Sequence, residues 1–439
     1  MWLLDKMLRK LIRKGRLIVT DYDGKVHAYG PAGAKSGPDP VIRIRLTDKG
    51  AANHIARYPR VGAGEAYMDG RLVVEPPHDI RDLVLFAAAN GEGSGENSFE
   101  PATPLRRLAD RIGYRLDSVI DKATARKNAE HTYNLSRQLY ELFLDEDRQY
   151  TMAYWREGNT GPGLSLEEAQ VDKKALIAAK LHLQPGKTAG KRVLDIGCGW
   201  GGMALYLARQ YPDIEVHGIA LAPDQIAFCR ERAEAEGLSD RVKFELMDYR
   251  DTTGPYDRIL SVGMLEHVGA PQFPKFFEHN HKVLKSDGVL FTHLIGRVGG
   301  PGITDAWTRK YIFPGGYIPA LSELVAVGER QGWETTDVET LRFHYALTLH
   351  EWYKRTVMHH DEIVDLYDER FFRMWQFYLV GAEQAFRHGG LVNYQIQMVK
   401  NRAALPMTRD YIAIEAERLR KADTVPTWRF DPALKEAAE

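Results

Sequence analysis

The stretch Arg192–Gly202, RVLDIGCGWGG, decides the fold. A short apolar run ends in Asp195-Ile196 and gives way to glycines at 197, 199, 201 and 202, the pattern of a β-strand turning sharply into a helix. Glycines there let the backbone come close to a ligand, and the helix start offers N–H groups without intrahelical partners. Gly197, Gly199 and Gly202 also satisfy G-x-G-x-x-G, so the turn alone admits a dinucleotide as readily as another ligand.

Outward from this turn the sequence alternates. Met203–Arg209 reads as a helix, EVHGIA (215–220) as a strand, 224–236 as a helix and VKFELMD (242–248) as a strand. YDRILSV (256–262) and GVLFTHL (288–294) are two more strands, with the helix-like QFPKFFEHNHKVL (272–284) between them. Apolar strands separated by helices predict a mostly parallel sheet covered on both faces, a doubly wound α/β fold. Upstream, VHAYG and VIRIRLTD flank the loop PAGAKSGPDP (31–40) and suggest a smaller N-terminal α+β domain. The polar run GEGSGENSFEPATP (91–104) marks the break, so we expect domains at 1–115 and 116–439.

Charge placement narrows the ligand. Asp195 puts a carboxylate beside the turn, poorly matched to a pyrophosphate but suited to a cationic ligand, and the second strand runs Gly218-Ile219-Ala220 without the ribose-binding acid a dinucleotide site wants. This favours S-adenosylmethionine over nicotinamide dinucleotide. Asp248, at the end of the third strand, reads either as an acceptor for an adenine amino group or as a helix cap. Gln225 reads either as a ribose or carboxylate contact or as a capping-region residue. Cys198 is expected to wedge against the strand, since glycines cannot activate a thiol. SVGMLEHVG and THLIG bring Glu266, His267 and His293 to the same sheet edge, without the spacing that sets two metal ligands on one helical face. A small anion suits this group better than a metal, so none is expected.

Composition sets limits. The 439 residues, 44% hydrophobic and 27% charged, provide for two packed domains, and two cysteines are too few for a disulfide framework. No uncharged apolar run is long enough to span a bilayer, and a cytoplasmic protein is expected. At the start, MWLLDKMLRKLIRKGRLIV sets Lys6, Arg9, Lys10, Arg13, Lys14 and Arg16 against one acid, Asp5, while Leu4, Met7, Leu8, Leu11 and Ile12 recur at helical spacing. That apolar stripe either closes the small domain or lies on anionic lipid, and the two are compatible. Nucleic-acid contact is not expected.

VLDIGCGWGGMALYLA, DYRD, YDRILSVGMLEHVG, KYIFPGGYIP, FHYALTLHEW and FFRMWQFYL, in that order, resemble the cyclopropane-fatty-acyl-phospholipid synthase family, including the related mycolic acid cyclopropane synthases. GEAYMDG is similar to the N-terminal domain of its longer bacterial members, and the likeness covers most of residues 55–400. The resemblance implies a class I methyltransferase fold, and transfer of a methylene from S-adenosylmethionine to the cis double bond of a phospholipid acyl chain with bicarbonate as base. It implies catalytic roles for Glu266, His293, Ile295 and Tyr345 around that anion, and places Tyr150, Thr151 and Tyr249 with Asp195, Gly197, Gly199, Gly202, Gln225 and Asp248 at the donor. A homodimer acting at the inner face of the membrane follows from the same likeness.

Two departures bear on the chemistry. The family's Y-S-C-x-Y-W reads YTMAYW (150–155) here, so Thr151 and Met152 stand for Ser and Cys. Met is a weak acceptor and no useful donor, which keeps open a methyl-branched product without ring closure. Ala220 and Ala222 replace two hydroxyl residues near the donor. A non-catalytic lipid-binding or scaffold protein is the alternative of another class. The aromatics Phe371, Phe372, Trp375, Phe377 and Tyr378 read either as packing or as the wall of an acyl tunnel, and Trp307, Tyr311 and Phe313 as a cover.

Overall fold

The computed structural model describes residues 1–31, 41–59, 61–91, 135–156 and 164–422. The expected loop at 32–40, the break at 92–104 and the domain boundary at 115/116 lie outside them. The chain forms two compact units. One comprises Met1–Val119, Arg297–Ile318 and Ala346–Leu391; the other comprises Ile120–Gly296, Pro319–Tyr345 and Val392–Glu439.

The second unit is built on seven strands: β5 (Arg192–Ile196), β6 (Glu215–Ala220), β7 (Val242–Leu246), β8 (Tyr256–Val262), β9 (Leu284–Arg297), β10 (Glu334–Leu341) and β11 (Leu391–Val399). Their order across the sheet is β10-β11-β9-β8-β5-β6-β7. Strands β5 to β9 pair in parallel and β10 pairs antiparallel with β11. This is the doubly wound α/β architecture expected from the alternation. The order reverses at β5, because β6 lies on one side of it and β8 on the other, and ligands of such sheets collect at the carboxyl ends of the strands beside that reversal. Val193, Leu194, Leu260 and Phe291 are fully buried, and the helix Gly202–Gln210 covers the β5–β6 region with Ala204, Leu205, Leu207 and Ala208. Gly218 is needed for packing: a Cβ there would lie 2.6 Å from the Phe244 ring.

The first unit carries a four-stranded sheet in the order β2-β1-β3-β4, with β1 (Arg16–Thr20), β2 (Val26–Tyr29), β3 (Val41–Leu46) and β4 (Leu72–Val74). The helix Trp2–Leu11 lays Leu4, Leu8 and Leu11, followed by Ile12, into one cluster with Leu17, Val19, Ile42 and Ile44. Each such side chain contributes about 1.5–3 kcal/mol on burial, so the stripe closes this unit's core. Asn90 fastens the helix end, its Oδ1 accepting from the Arg13 and Lys14 N–H groups, both at 2.7 Å. The opposite side of the helix stays in water: Trp2 is 69% and Leu3 40% exposed, and Lys6, Lys10 and Arg13 are exposed.

The later segments of the first unit are held by buried carboxylates. Arg81 Nε and Nη2 donate to Glu383 Oε2 and Oε1 (2.9 and 2.8 Å), and Arg387 Nε adds a third bond. Glu65, from the GEAYMDG stretch, accepts from Lys310 Nζ (2.6 Å) and Tyr311 OH (2.7 Å) and faces His54 Nε2 (2.7 Å). On the helix Glu369–Arg387, Phe372, Trp375 and Tyr378 are buried, and Phe377 packs on Trp307 with ring centroids 4.9 Å apart. These contacts bury the aromatic face of the helix within the first unit. Among the described residues, no helix is long and apolar enough to cross a membrane.

Candidate active site

The glycine turn follows β5 as the sequence implies. Gly197, Gly199 and Gly201 have φ of +80°, +53° and +82°, left-handed values that a side chain would strain, and Gly202 opens the helix Gly202–Gln210. The N–H groups of Gly197 and Cys198 both donate to Ile219 O on β6 (2.9 and 3.1 Å), which anchors the turn to the sheet. A Cβ at Gly199 would meet nothing within 4 Å, so the turn faces open space there, whereas one at Gly202 would strike Gln149 and Asp147. Cys198 and Cys229 are buried, and the bond between the two thiols, with burial, pushes the Cys198 thiol well above its usual range. Cys198 is a packed thiol, as expected.

Asp195 is 1% exposed, and its Oδ2 has no hydrogen-bond partner among the described residues. Burial pushes its carboxyl up to about 7, against the pull of the Lys173 ammonium. A carboxylate so placed has acceptor capacity to spare, which fits a cationic or hydrogen-bond-donating ligand. Lys173 belongs to the helix Leu166–Lys180 and is itself buried; its Nζ donates to Gln149 Oε1 (2.5 Å) and Thr151 Oγ1 (2.8 Å). Next to it, Lys174 Nζ donates to Asp147 Oδ2 (2.6 Å), whose Oδ1 meets Arg232 Nη2 (2.5 Å). Against its burial, Arg232 and Lys174 hold the Asp147 carboxyl well below the usual range. This network was not read from the sequence. Its signals are the charged run DEDR (145–148) directly before Gln149-Tyr150-Thr151, and the adjacent Lys173 and Lys174 directly before the aliphatic run ALIAA (175–179).

The network delivers Thr151 to the sheet edge. Gln170 Nε2 donates to Thr151 O (2.9 Å), and a Cβ on Gly263, just past β8, would meet Thr151 Cγ2 at 3.0 Å. Gly263 N–H in turn donates to His293 O on β9 (2.8 Å). Tyr150 packs edge-on against Tyr140 and Phe143. Met152 is completely buried, so the residue standing for the family Cys is a wall and not a surface group. Beyond it, Trp155 N–H donates to His344 Nδ1 (2.9 Å) and Tyr154 stacks on His344 at 4.8 Å. His344 opens the helix in which Tyr345 is the second residue, also buried.

Glu266 sits in a short 3-10 turn, Leu265–His267, after β8. Its Oε1 accepts from Ile295 N–H at 2.6 Å, while Oε2 is buried with no partner among the described residues. Burial pushes this carboxyl up to about 7. The sequence reading gave the Ile295 backbone to an anion; in the structure its N–H orients Glu266. His293 is 2% exposed, and burial, reinforced by Lys173, Lys180 and His344, pushes it down to about 3, so the ring is neutral. Its Nδ1 lies 3.1 Å from Gln395 Nε2 and its Nε2 3.4 Å from Asn393 Nδ2. Neither amide was picked out from the sequence. His267, adjacent to Glu266, is pushed down to about 4 by burial.

Thr151, Asp195, the glycine turn, Glu266, His293 and Ile295 thus converge at the ends of β5, β8 and β9. The turn meets the Glu266 segment directly, since a Cβ at Gly197 would lie 3.1 Å from the Met264 side chain. The remaining donor-site candidates lie in the segments that follow β6 and β7. Gln225 is buried in the first turn of the helix Pro223–Ala235. Asp248 caps the turn Tyr249–Asp251 and also binds Arg250 Nε and Nη2 (2.7 and 2.6 Å), so the capping reading is realised and its carboxylate carries a guanidinium. Tyr249 packs edge-on against Phe276. Among the described residues, no three His, Cys, Asp or Glu side chains gather as a metal-binding group.

A family model described as mycolic acid cyclopropane synthetase matches residues 120–396. The cyclopropane-fatty-acyl-phospholipid synthase of Escherichia coli K12 is 35% identical over 353 residues, covering 80% of this chain and 86% of that protein. A probable fatty acid methyltransferase of Pseudomonas putida is 34% identical over 386 residues, covering 85% and 92%. Among solved structures, the mycolic acid cyclopropane synthase CmaA1 complexed with SAH and CTAB superposes with a TM-score of 0.57 at 28% identity, covering 62% of this chain and 97% of that one.

The raised Glu266 carboxyl has a consequence for stability. Because the fold holds this proton more tightly than the unfolded chain does, the contribution is fully present below about pH 4.5 and is lost as pH rises through about 7. Without donor or anion, the protein should lose on the order of 3 kcal/mol relative to Glu266→Gln across that window. Denaturant unfolding of both proteins at several pH values measures this; parallel pH profiles would mean that Glu266 is not held neutral.

Proposed function

The chain belongs to the mycolic acid cyclopropane synthetase family, and from that premise we propose that it transfers a methylene from S-adenosylmethionine to the cis double bond of an unsaturated phospholipid acyl chain, closing a cyclopropane ring with bicarbonate as base. It is an S-adenosylmethionine-dependent methyltransferase of the cyclopropane-fatty-acyl-phospholipid synthase type. The observation that carries the finer reading is Glu266: a buried carboxyl with one oxygen fixed by Ile295 and the other unpartnered, near a neutral, buried His293.

The residues fit the donor. The orphaned Asp195 Oδ2 and the open face of the turn at Gly199 match a ligand that brings hydrogen-bond donors and positive charge. Asp195, the Gly197–Gly202 turn and Thr151 would hold it, with Gln225, Asp248 and Tyr249 as the candidates in the segments after β6 and β7. When bound, S-adenosylmethionine supplies an electrophilic methyl group. An alkene is a weak nucleophile, so rate depends on holding the two partners in line and keeping water away from the positive charge that develops on carbon. Lys173 draws the Asp195 carboxyl toward its charged form, against the larger effect of burial, and donates to Thr151.

The small-anion site is the second part. When bound, bicarbonate supplies a base and a negative field in a dry site. Glu266 Oε2 suits a hydroxyl donor, a His293 ring N–H suits an anionic oxygen, and Tyr345 adds a hydroxyl from the start of its helix. Ile295 acts through Glu266, whose carboxylate it orients.

Met152 favours a second reading. With a thioether fully buried where the family has Cys, the anion site has a different wall, and loss of another proton would leave a methyl-branched chain. Of the two similar proteins, one is named a cyclopropane-fatty-acyl-phospholipid synthase and the other a probable fatty acid methyltransferase.

A homodimer is carried here by family likeness alone. Reversible attachment to the inner face of the cytoplasmic membrane is supported by the helix Trp2–Leu11, whose buried stripe leaves Trp2, Leu3 and several bases in water. Removing the helix would open the core of its unit, so substitution is the sound test.

Three measurements follow from this reading. With methyl-labelled donor and phospholipid vesicles, mass analysis should show one methylene added per modified chain, and Glu266→Gln should slow turnover by about 100-fold with donor affinity unchanged; undiminished turnover removes Glu266 from the reaction. Met152→Cys should raise the share of ring product over methyl-branched product, and an unaltered ratio would show a tolerant wall. Changing Lys6, Lys10 and Arg13 together to Gln should weaken binding to anionic vesicles at low salt by up to about 3 kcal/mol, at roughly 1 kcal/mol per charge; equal binding would detach this helix from the membrane reading.

A further inference from the structure

Strand β11 reads LVNYQIQMV, and Asn393, Gln395 and Gln397 fall on alternate positions, hence on one face. All three are buried, on a strand in the middle of a sheet where apolar side chains are the rule. A buried amide without partners costs stability, so each needs a use. Gln397 has one in the scaffold: its Nε2 donates to Lys180 O and Tyr411 OH, and its Oε1 accepts from Thr336 Oγ1. The other two face the two nitrogens of one imidazole, His293. Their oxygens, Gln395 Oε1 and Asn393 Oδ1, have no partner among the described residues.

A neutral imidazole carries one N–H and one lone pair, so two flanking amides cannot both donate to it. The shorter bond, Gln395 Nε2 to Nδ1 at 3.1 Å, is well formed. The contact of Asn393 Nδ2 with Nε2, at 3.4 Å, is at the limit of a hydrogen bond. Rotating the Asn393 amide about its terminal bond turns Oδ1 toward Nε2 and pairs an otherwise orphaned buried oxygen.

We propose that Gln395 is a positioning residue: by donating to Nδ1 it holds His293 as the Nε2–H tautomer, with Asn393 Oδ1 as the resting acceptor of that proton. This rests on the reading of His293 as the hydrogen-bond donor to a small anion, and it explains how a ring too deeply buried to be cationic still presents a donor. An anion entering the site takes the place of Asn393 Oδ1 as the partner of Nε2–H.

The test is spectroscopic. The full-length protein is labelled with 15N-histidine, and long-range proton–nitrogen correlations are recorded; the chain has 15 histidines, so His293 is assigned by its disappearance in His293→Gln. The wild-type ring should carry its proton on Nε2. In Gln395→Glu, recorded at a pH high enough to ionise the buried carboxyl, the new carboxylate only accepts and the proton should move to Nδ1. In Gln395→Leu, which supplies a signal if the Glu variant does not fold, the ring should lose its single tautomer and show both. Turnover of Gln395→Glu should fall about 10- to 100-fold, the scale on which losing an imidazole's outer partner is felt, with donor affinity unchanged. A wild-type proton on Nδ1, or the same single tautomer in all three proteins, overturns the proposal. If the tautomer moves as expected and turnover does not, Gln395 stands as the positioning residue and His293 loses its part in anion binding.

Discussion

The site depends on the cost of keeping Asp195 charged where water is excluded. Its carboxylate closes a strand at the point where the strand order of the sheet reverses, with one buried ammonium, Lys173, for a counter-charge and one oxygen left over. A buried acid in that position tends toward its neutral form, and burial likewise pushes the Lys173 ammonium down to about 7. Each group makes the other's charge tolerable, and a cationic ligand completes the balance. Lys173 is bound in turn to Gln149 and Thr151, so the electrostatics of the donor pocket and the placement of YTMAYW are one arrangement.

Glu266 and His293 follow the same logic. Burial pushes the Glu266 carboxyl up to about 7 and the His293 ring down to about 3, so the ring is neutral and the ion pair that a surface Glu and His would form is absent. What remains is directional hydrogen bonding: Ile295 N–H on one Glu266 oxygen, and Gln395 and Asn393 against the imidazole. A dry pocket with fixed dipoles suits a reaction in which positive charge appears on carbon. Asp147, paired with Lys174 and Arg232, ties the segment from Asp145 to Thr151 to the helices Leu166–Lys180 and Pro223–Ala235.

In the first unit one helix has a buried and an exposed side. Its apolar stripe of Leu4, Leu8, Leu11 and Ile12 lies in the core, and the same helix leaves Trp2 and a row of bases in water. Periodicity alone could not choose between core and lipid, because a stripe on a helix looks alike against either. Packing on β1 and β3 decides the use of the stripe.

The sequence by itself determined the alternation of strands and helices, the glycine turn with Asp195 before it, and the placement of Glu266, His267 and His293 on one sheet edge. These are local properties: turn chemistry and the periods of strand and helix act over a few residues, and a parallel sheet brings strand ends together. Tertiary structure alone decided that Lys173 and Lys174 point inward, that Ile295 N–H serves Glu266, that Asp248 carries Arg250, and that residues 297–318 and 346–391 pack with the N-terminal segment. It also set Asn393 and Gln395 beside His293, a hundred residues away along the chain. A charged or amide side chain reads as surface in a sequence, because whether it is buried depends on a partner from a distant segment, and that partner is chosen only when the segments pack.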